Sequence, residues 1–312
     1  MAGGRLSPTL QLRWGGAVTG RLHDDELPID ERLVRSLLGT LPTSYDALPL
    51  RRLDSSGSSN TLFRLGDDLL VRLPRQPGGT ATIEKEQRWL SYVAPALPVA
   101  VPQVVAVGEP GFGYPERWSV VRWLEGEPAT PPVRGEPPRH DLARDLAAVV
   151  AGLRETDVPA SATRDPDLRW YRGEPLAAMD ASTRASLAAC REIDRLDLDL
   201  GACTEVWDDA MLLPGVAQAG ATGWYHGDLV AENLLVRVGR LAAVLDFGGL
   251  SVGDRTVDLV VAWELLDPDA RATFRDLVGV DEATWLRGRA WALALALMTF
   301  PYYWTSMPAR CA

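Results

Sequence analysis

The sequence predicts an α+β molecule of two lobes, β-rich on the N-terminal side and mainly helical on the C-terminal side. Three observations predict it. Short strand signals form a meander between residues 50 and 73, a stretch rich in Pro, Gly and Glu follows at 125–138, and helical periodicities beyond it are interrupted by a single hairpin. The chain divides accordingly into an arm (1–22), an N-lobe (23–124), a hinge or linker (125–138) and a C-lobe (139–312). With 312 residues, 46% of them hydrophobic and 24% charged, it can bury a sizeable core.

The elements follow in order. Asp30 can cap a helix whose face carries Ile29, Leu33, Val34, Leu37 and Leu38, with Gly39 at its end. Strands are expected at 50–53, 61–65 and 69–73, separated by the loop Asp54-Ser55-Ser56-Gly57-Ser58-Ser59-Asn60 and the turn Gly66-Asp67-Asp68. Over 82–93, Ile83, Gln87, Leu90 and the following Ala94 keep helical register among Glu84, Lys85, Glu86 and Arg88, which predicts a helix laid on that sheet. Strands at 103–107 and 118–124 complete the lobe. Helices are expected at 139–154, 183–196, 204–213, 257–266, 269–277 and 282–300, with the hairpin over 234–247.

The formal net charge of −10 excludes a general binder of nucleic acid or anionic membrane, since both require a basic footprint, and it suits a cationic partner. Cys190, Cys203 and Cys311 are odd in number and lack metal-ligand spacing, so neither a disulfide framework nor a zinc site is expected, and a reducing cytoplasm fits. Residues 1–22 read as a flexible arm without an apolar core of signal-peptide length, so export is not expected. The apolar stretch 290–304 falls short of a membrane span and follows Arg287 and Arg289; it reads as a buried helix. No oligomeric state follows from the sequence.

Chemistry concentrates in His226-Gly227-Asp228 with Asn233 five residues on, and in Asp246-Phe247-Gly248 across the hairpin. A two-residue turn at Gly239-Arg240 pairs Asn233 directly with Asp246, with Cβ atoms about 5 Å apart. An amide oxygen and a carboxylate so placed can share a magnesium ion with nucleotide phosphates. Asp228, on the loop entering the hairpin, can orient a hydroxyl and accept its proton. His226 reads as a residue that positions this loop. A lone His-x-Asp is often a structural pair, but the combination flanking one hairpin is specific. A His/Asp hydrolase site finds no support, because His23 and His140 carry no motif.

From about Asp24 to its C-terminus the chain resembles the aminoglycoside phosphotransferase family, relatives of protein and choline kinases. That resemblance implies a bilobal protein-kinase-like fold with a nucleotide-binding N-lobe and a catalytic, substrate-binding C-lobe, and ATP and Mg2+ as cofactors. It makes Asp228 the catalytic base and Asn233 and Asp246 the magnesium ligands. Leu69-Leu70-Val71-Arg72-Leu73 matches the strand whose basic residue contacts the α and β phosphates. The family's usual residue there is Lys; Arg72 can grip phosphate oxygens through two donors but has a different shape. Glu86 matches the helix glutamate that holds this basic side chain, with Glu84 as its rival. Ser56, Gly57 and Ser58 occupy the position of the phosphate-covering loop. Residues 118–126 resemble the hinge strand, where backbone groups near Trp123 and Leu124 would hydrogen-bond adenine. Asp258 resembles the buried aspartate that steadies the catalytic loop; a helix N-terminal charge is the other reading.

The implied activity is ATP- and Mg2+-dependent transfer of the γ-phosphate to a hydroxyl of a small molecule, with an aminoglycoside-type antibiotic as leading acceptor and resistance as the implied role. Other readings are a kinase for a sugar, amino alcohol or secondary metabolite, or, given Arg72, a catalytically weak nucleotide-binding module. Protein kinase activity is disfavoured, because no Ala-Pro-Glu segment follows Asp246-Phe247-Gly248. Asp254, Glu264, Asp267 and Asp269 could form an acidic face for a polyamine-like sugar or could be merely solvated; none is assigned to the site.

Overall fold

Alternation of side chains along the strands sets the first layer. The computed structural model describes residues 25–53, 59–218, 220, 222–307 and 310–311, so the arm at 1–22 and Ser56, Gly57 and Ser58 lie outside the described residues. Strands β1 (Leu50–Arg52), β2 (Asn60–Leu65), β3 (Leu69–Pro74), β4 (Val104–Gly108) and β5 (Trp118–Arg122) form an antiparallel sheet in the order β1-β2-β3-β5-β4. Phe63, Leu65, Val71, Leu73, Trp118 and Val120 turn to one face. There they meet Val34, Leu37 and Leu38 of helix α1 (Glu31–Leu38), whose first turn is capped by Asp30 through the Leu33 N–H at 2.7 Å. The residues between them, Leu62, Leu70, Arg72 and Val121, turn to the opposite face and line a cleft.

Helix α2 (Thr80–Val93) departs from the expected packing. Gln87 is exposed, and the buried set is Ile83, Lys85, Glu86, Trp89, Leu90 and Val93. Its second half belongs to the core of the C-lobe, where Trp89, Leu90 and Val93 join Leu146, Val150 and Trp224. The helix is therefore wedged between the lobes. Gln87 keeps helical register with the core positions, but a helix touching two bodies needs a buried face that a one-sided reading does not anticipate.

The hinge stretch is docked as well. Its strand β6 (Glu127–Pro128) pairs with β8 (Leu234–Arg237), and β8 pairs with β9 (Arg240–Val244). Gly126 carries φ of +150°, and a Cβ there would lie 2.8 Å from the Leu235 Cβ, so only glycine allows this approach.

The hairpin forms, but its turn is not Gly239-Arg240. Arg237 pairs with Arg240, so Val238 and Gly239 make the turn, both left-handed with φ of 52° and 72°. That is the sign pattern of a type I′ turn, whose twist suits the strands. A bulge then takes up Ala242, so that Leu234 faces Val244. Leu245 is therefore the residue opposite Asn233, its N–H donating to the Asn233 carbonyl at 2.8 Å, and Asp246 lies one residue beyond.

The C-lobe is built on α3 (His140–Glu155), which packs against α8 (Pro268–Val278), with α4 (Ala160–Arg164), α5 (Asp180–Arg191), α6 (Leu200–Met211), α7 (Val261–Leu265) and α9 (Glu282–Tyr303) around it. Strand β7 (Thr222–Tyr225) pairs antiparallel with β10 (Ser251–Asp254), a pairing that short apolar runs did not announce. The helix expected at 257–266 opens as a 3-10 segment over Arg255–Val260 before α7. Helix α9 buries Trp291, Ala294 and Leu297 as expected, and no helix among the described residues is long and apolar enough to cross a membrane. All three cysteines are free thiols, Cys190 and Cys203 buried.

Candidate active site

Strand β7 ends at Tyr225, and the chain turns at once through His226-Gly227-Asp228. Two backbone N–H groups orphaned by this turn, those of His226 and Gly227, donate to the buried Asp258 carboxylate at 2.8 and 2.7 Å. Gly227 has φ of +82°, and a Cβ there would meet the Trp170 ring at 2.7 Å. His226 ties the loop to the hairpin: its Nε2 lies 3.0 Å from the Leu245 carbonyl, and its Nδ1 accepts the Asp228 N–H at 3.2 Å. This pattern assigns a neutral imidazole protonated at Nε2. Burial pushes its pKa down, in agreement. The ring also stands edge-on to Phe247, 4.7 Å between centroids.

Asp228 is held at both carboxylate oxygens. Oδ2 accepts from Asn233 Nδ2 at 2.9 Å, and Oδ1 accepts from Arg172, which also donates to the Gly227 carbonyl at 2.7 Å. Arg172 is the functional candidate that sequence reasoning missed. It sits over Trp170, 4.5 Å from the ring centroid, and no motif separates it from the other cationic residues of the chain.

Asn233 and Asp246 face the same cleft. Because Nδ2 of Asn233 is committed to Asp228, its Oδ1 is left without a donor among the described residues. Among the described residues Asp246 accepts only the Gly248 N–H, on one oxygen, and it is itself left-handed at φ of 51°. Its carboxyl is pushed up to about 6 by burial first, then by Asp228 and Glu86, with Arg72 opposing. Among the described residues no group of three or more His, Cys, Asp or Glu side chains gathers to hold a metal. One amide oxygen and one carboxylate, both open to the cleft, fit a hard cation that completes its shell with phosphate oxygens and water.

On the N-lobe side, Arg72 and Glu86 form a buried bidentate pair, and Arg72 Nε also donates to Ser119 Oγ at 3.2 Å. Glu84, the rival for this position, instead pairs with Arg117 at 3.2 Å. Trp123 and Leu124 line the cleft, yet the Trp123 N–H is committed to the Asp68 carbonyl at 2.8 Å, closing the sheet beyond β5. The contacts expected for adenine near Trp123 and Leu124 would therefore fall to the neighbouring backbone groups rather than to this N–H.

The outer half of the cleft is walled by Leu295, Met298, Tyr302 and Tyr303 of α9, with Trp170 across from them. Glu232 pairs here with Arg310 at 2.5 Å, and its carboxyl is pushed up to about 7 by burial first, with Arg310 opposing. The four acidic residues raised as a possible face serve elsewhere. Asp254 accepts the N–H groups of Gly220 and Thr256, Glu264 accepts that of Ala231, and Asp267 caps α8; none of these, nor Asp269, lines the cleft.

A five-stranded lobe, a helical lobe and a cleft between them that gathers Asp228, Asn233 and Asp246 define a kinase-like phosphotransferase. The family model described as the phosphotransferase enzyme family (APH) matches residues 51–291. This chain belongs to that family and is an enzyme of the small-molecule phosphotransferase class. Among solved structures it is similar to aminoglycoside 2'-phosphotransferase-IIIa in its GDP complex, at TM-score 0.66 and 17% identity over 87% of this chain and 91% of that one. It is likewise similar to macrolide 2'-phosphotransferase MphH from Brachybacterium faecium, at TM-score 0.60 and 24% identity over 91% and 96%. A third is the streptomycin–ATP–APH(2")-IIa ternary complex, at TM-score 0.61 and 17% identity over 89% and 92%. These likenesses bear on the fold. No curated protein matches the chain significantly in sequence.

Proposed function

We propose that this enzyme transfers the γ-phosphoryl group of ATP, with Mg2+, to a hydroxyl of a small molecule. The observation that carries the reading is the convergence of Asp228, Asn233 and Asp246 on one cleft opposite the Arg72–Glu86 pair. In this reading Asp228 orients the acceptor hydroxyl and takes its proton, while Arg172 and Asn233 keep its carboxylate in place. Asn233 Oδ1 and Asp246 would hold Mg2+, which when bound would supply positive charge to the phosphate oxygens. Arg72 contacts the phosphates with the N–H groups that Glu86 and Ser119 leave free. Asp258 and His226 position the loop and touch no substrate.

Two acceptor classes compete. The family resemblance favours an aminoglycoside-type antibiotic. The cleft favours an acceptor with an apolar face, of the macrolide type, because its outer wall is aliphatic and aromatic, and because Asp228 and Glu232 are each already paired with an arginine. Resistance by phosphorylation is the corresponding role for either class. ADP release with Mg-ATP across aminoglycosides, macrolides and small alcohols tests the reading. Acceptor-dependent turnover supports it, whereas nucleotide binding without turnover on any acceptor would favour a binding module.

A further inference from the structure

Lys85 is the only lysine in the chain; every other cation among its 32 Lys and Arg residues is arginine. It stands next to Glu86 on α2 and is 8% exposed, yet it lines the acceptor half of the cleft together with Asp228, Asp246 and Gly248. Among the described residues no hydrogen bond or ion pair holds its ammonium, although the chain pairs arginines freely elsewhere. Leaving a buried cation without a partner is costly, and such a group is retained where a ligand supplies the counter-charge. Burial pushes its pKa down, opposed by Asp167, Asp246 and Asp165 from neighbouring segments and by Glu86 on its own helix. The strand cation Arg72, by contrast, is already bound at all three nitrogens by Glu86 and Ser119.

We propose that Lys85 contacts the non-bridging oxygens of the transferring γ-phosphoryl group, resting on the phosphotransferase reading above. In the step, the acceptor oxygen forms a bond to the γ-phosphorus, and the bond from that phosphorus to the β–γ bridging oxygen breaks. The electron pair leaves with ADP, the acceptor proton passes to Asp228, and Lys85 stays protonated throughout. A point ammonium with three rotatable donors can follow a phosphoryl group as it moves, which a guanidinium fixed in a bidentate pair cannot. Arg72 serves the nucleotide as it binds; Lys85 serves the group that leaves it.

Because Lys85 is the only side-chain amine, amine-directed modification followed by mass mapping reports on it alone. A non-hydrolysable ATP analogue with Mg2+ protects it, and Mg-ADP, which lacks the γ-phosphate, does not. Lys85→Met, which keeps the aliphatic stem, lowers kcat by about 100-fold with the acceptor KM nearly unchanged, and Lys85→Arg recovers part of that loss. Thermal unfolding of Lys85→Met at or above the wild-type temperature separates this from a folding defect. Equal labelling under analogue and ADP, or a Lys85→Met kcat within about threefold of wild type, overturns the proposal. Absence of any acceptor-dependent turnover in the wild type counts against the phosphotransferase reading instead, while the protection pattern still decides on Lys85.

Discussion

Asp228 is oriented before any substrate arrives, with one oxygen on Arg172 and the other on Asn233. Asp228→Asn keeps the shape but not the base, so kcat falls by about 100- to 10,000-fold while nucleotide affinity is retained; steady-state kinetics beside calorimetric nucleotide titration reads both. His226 makes a different prediction. Its imidazole is neutral in the fold and its pKa is lowered, so the folded state binds fewer protons there than the unfolded chain. The stabilisation is complete above the ordinary imidazole pKa of about 6.5 and is lost as pH falls through the lower folded value. Asp246 titrates in the opposite sense near its raised value of about 6, its protonation favouring the fold. The difference between wild type and His226→Gln isolates the histidine: urea midpoints at neutral and mildly acidic pH should show a larger acid-induced loss in the wild type. The motif residues were legible because their chemistry is carried by residue type at short spacing. Arg172 was not, since it reaches Asp228 from a segment more than fifty positions away.

The hairpin shows what spacing can and cannot deliver at the scale of an element. Its existence and both strands follow from alternation, but its register depends on which pair occupies the turn. Gly239 permitted two choices, and the chain adopts the one that forces Val238 left-handed, with 95% of its surface exposed. A β-branched residue there stores backbone strain without packing in return. Val238→Asn should therefore raise the unfolding free energy by about 1 kcal/mol, visible as a higher urea midpoint with unchanged m-value. No change would mean that the turn relaxes in solution. The bulge at Ala242 then compensates the register, so that Asn233 and Asp246 still reach one cleft although they are not paired directly. That the Trp123 N–H is committed within the sheet was hidden in the sequence for a related reason. Its partner, Asp68, belongs to the turn between β2 and β3 and comes beside it only when the sheet closes.

Across the whole molecule, the two lobes share a core more than the chain's composition suggests. Trp89, Leu90, Val93 and Leu97 precede the hinge yet pack among helices of the C-lobe, and Trp89 Nε1 and Arg88 both reach Asp165. Ala100 bridges to Ala243 of the hairpin. An isolated N-lobe would expose that apolar face, so a fragment over residues 25–124 should show no cooperative melt, whereas the full chain unfolds in a single calorimetric transition. Two well-separated transitions would show that the lobes are independent. The sequence by itself determined the two-lobed architecture, most of the larger elements and the grouping of Asp228, Asn233 and Asp246 as candidates, because periodicity and short-range spacing are local properties; Arg72 and Glu86 were named only through the family resemblance. Only the tertiary structure decided the hairpin register, the wedging of α2, the pairing of Arg172 with Asp228 and the unpartnered position of Lys85 in the cleft. Those depend on contacts between segments far apart in the chain, whose geometry is set when the lobes close on a common core.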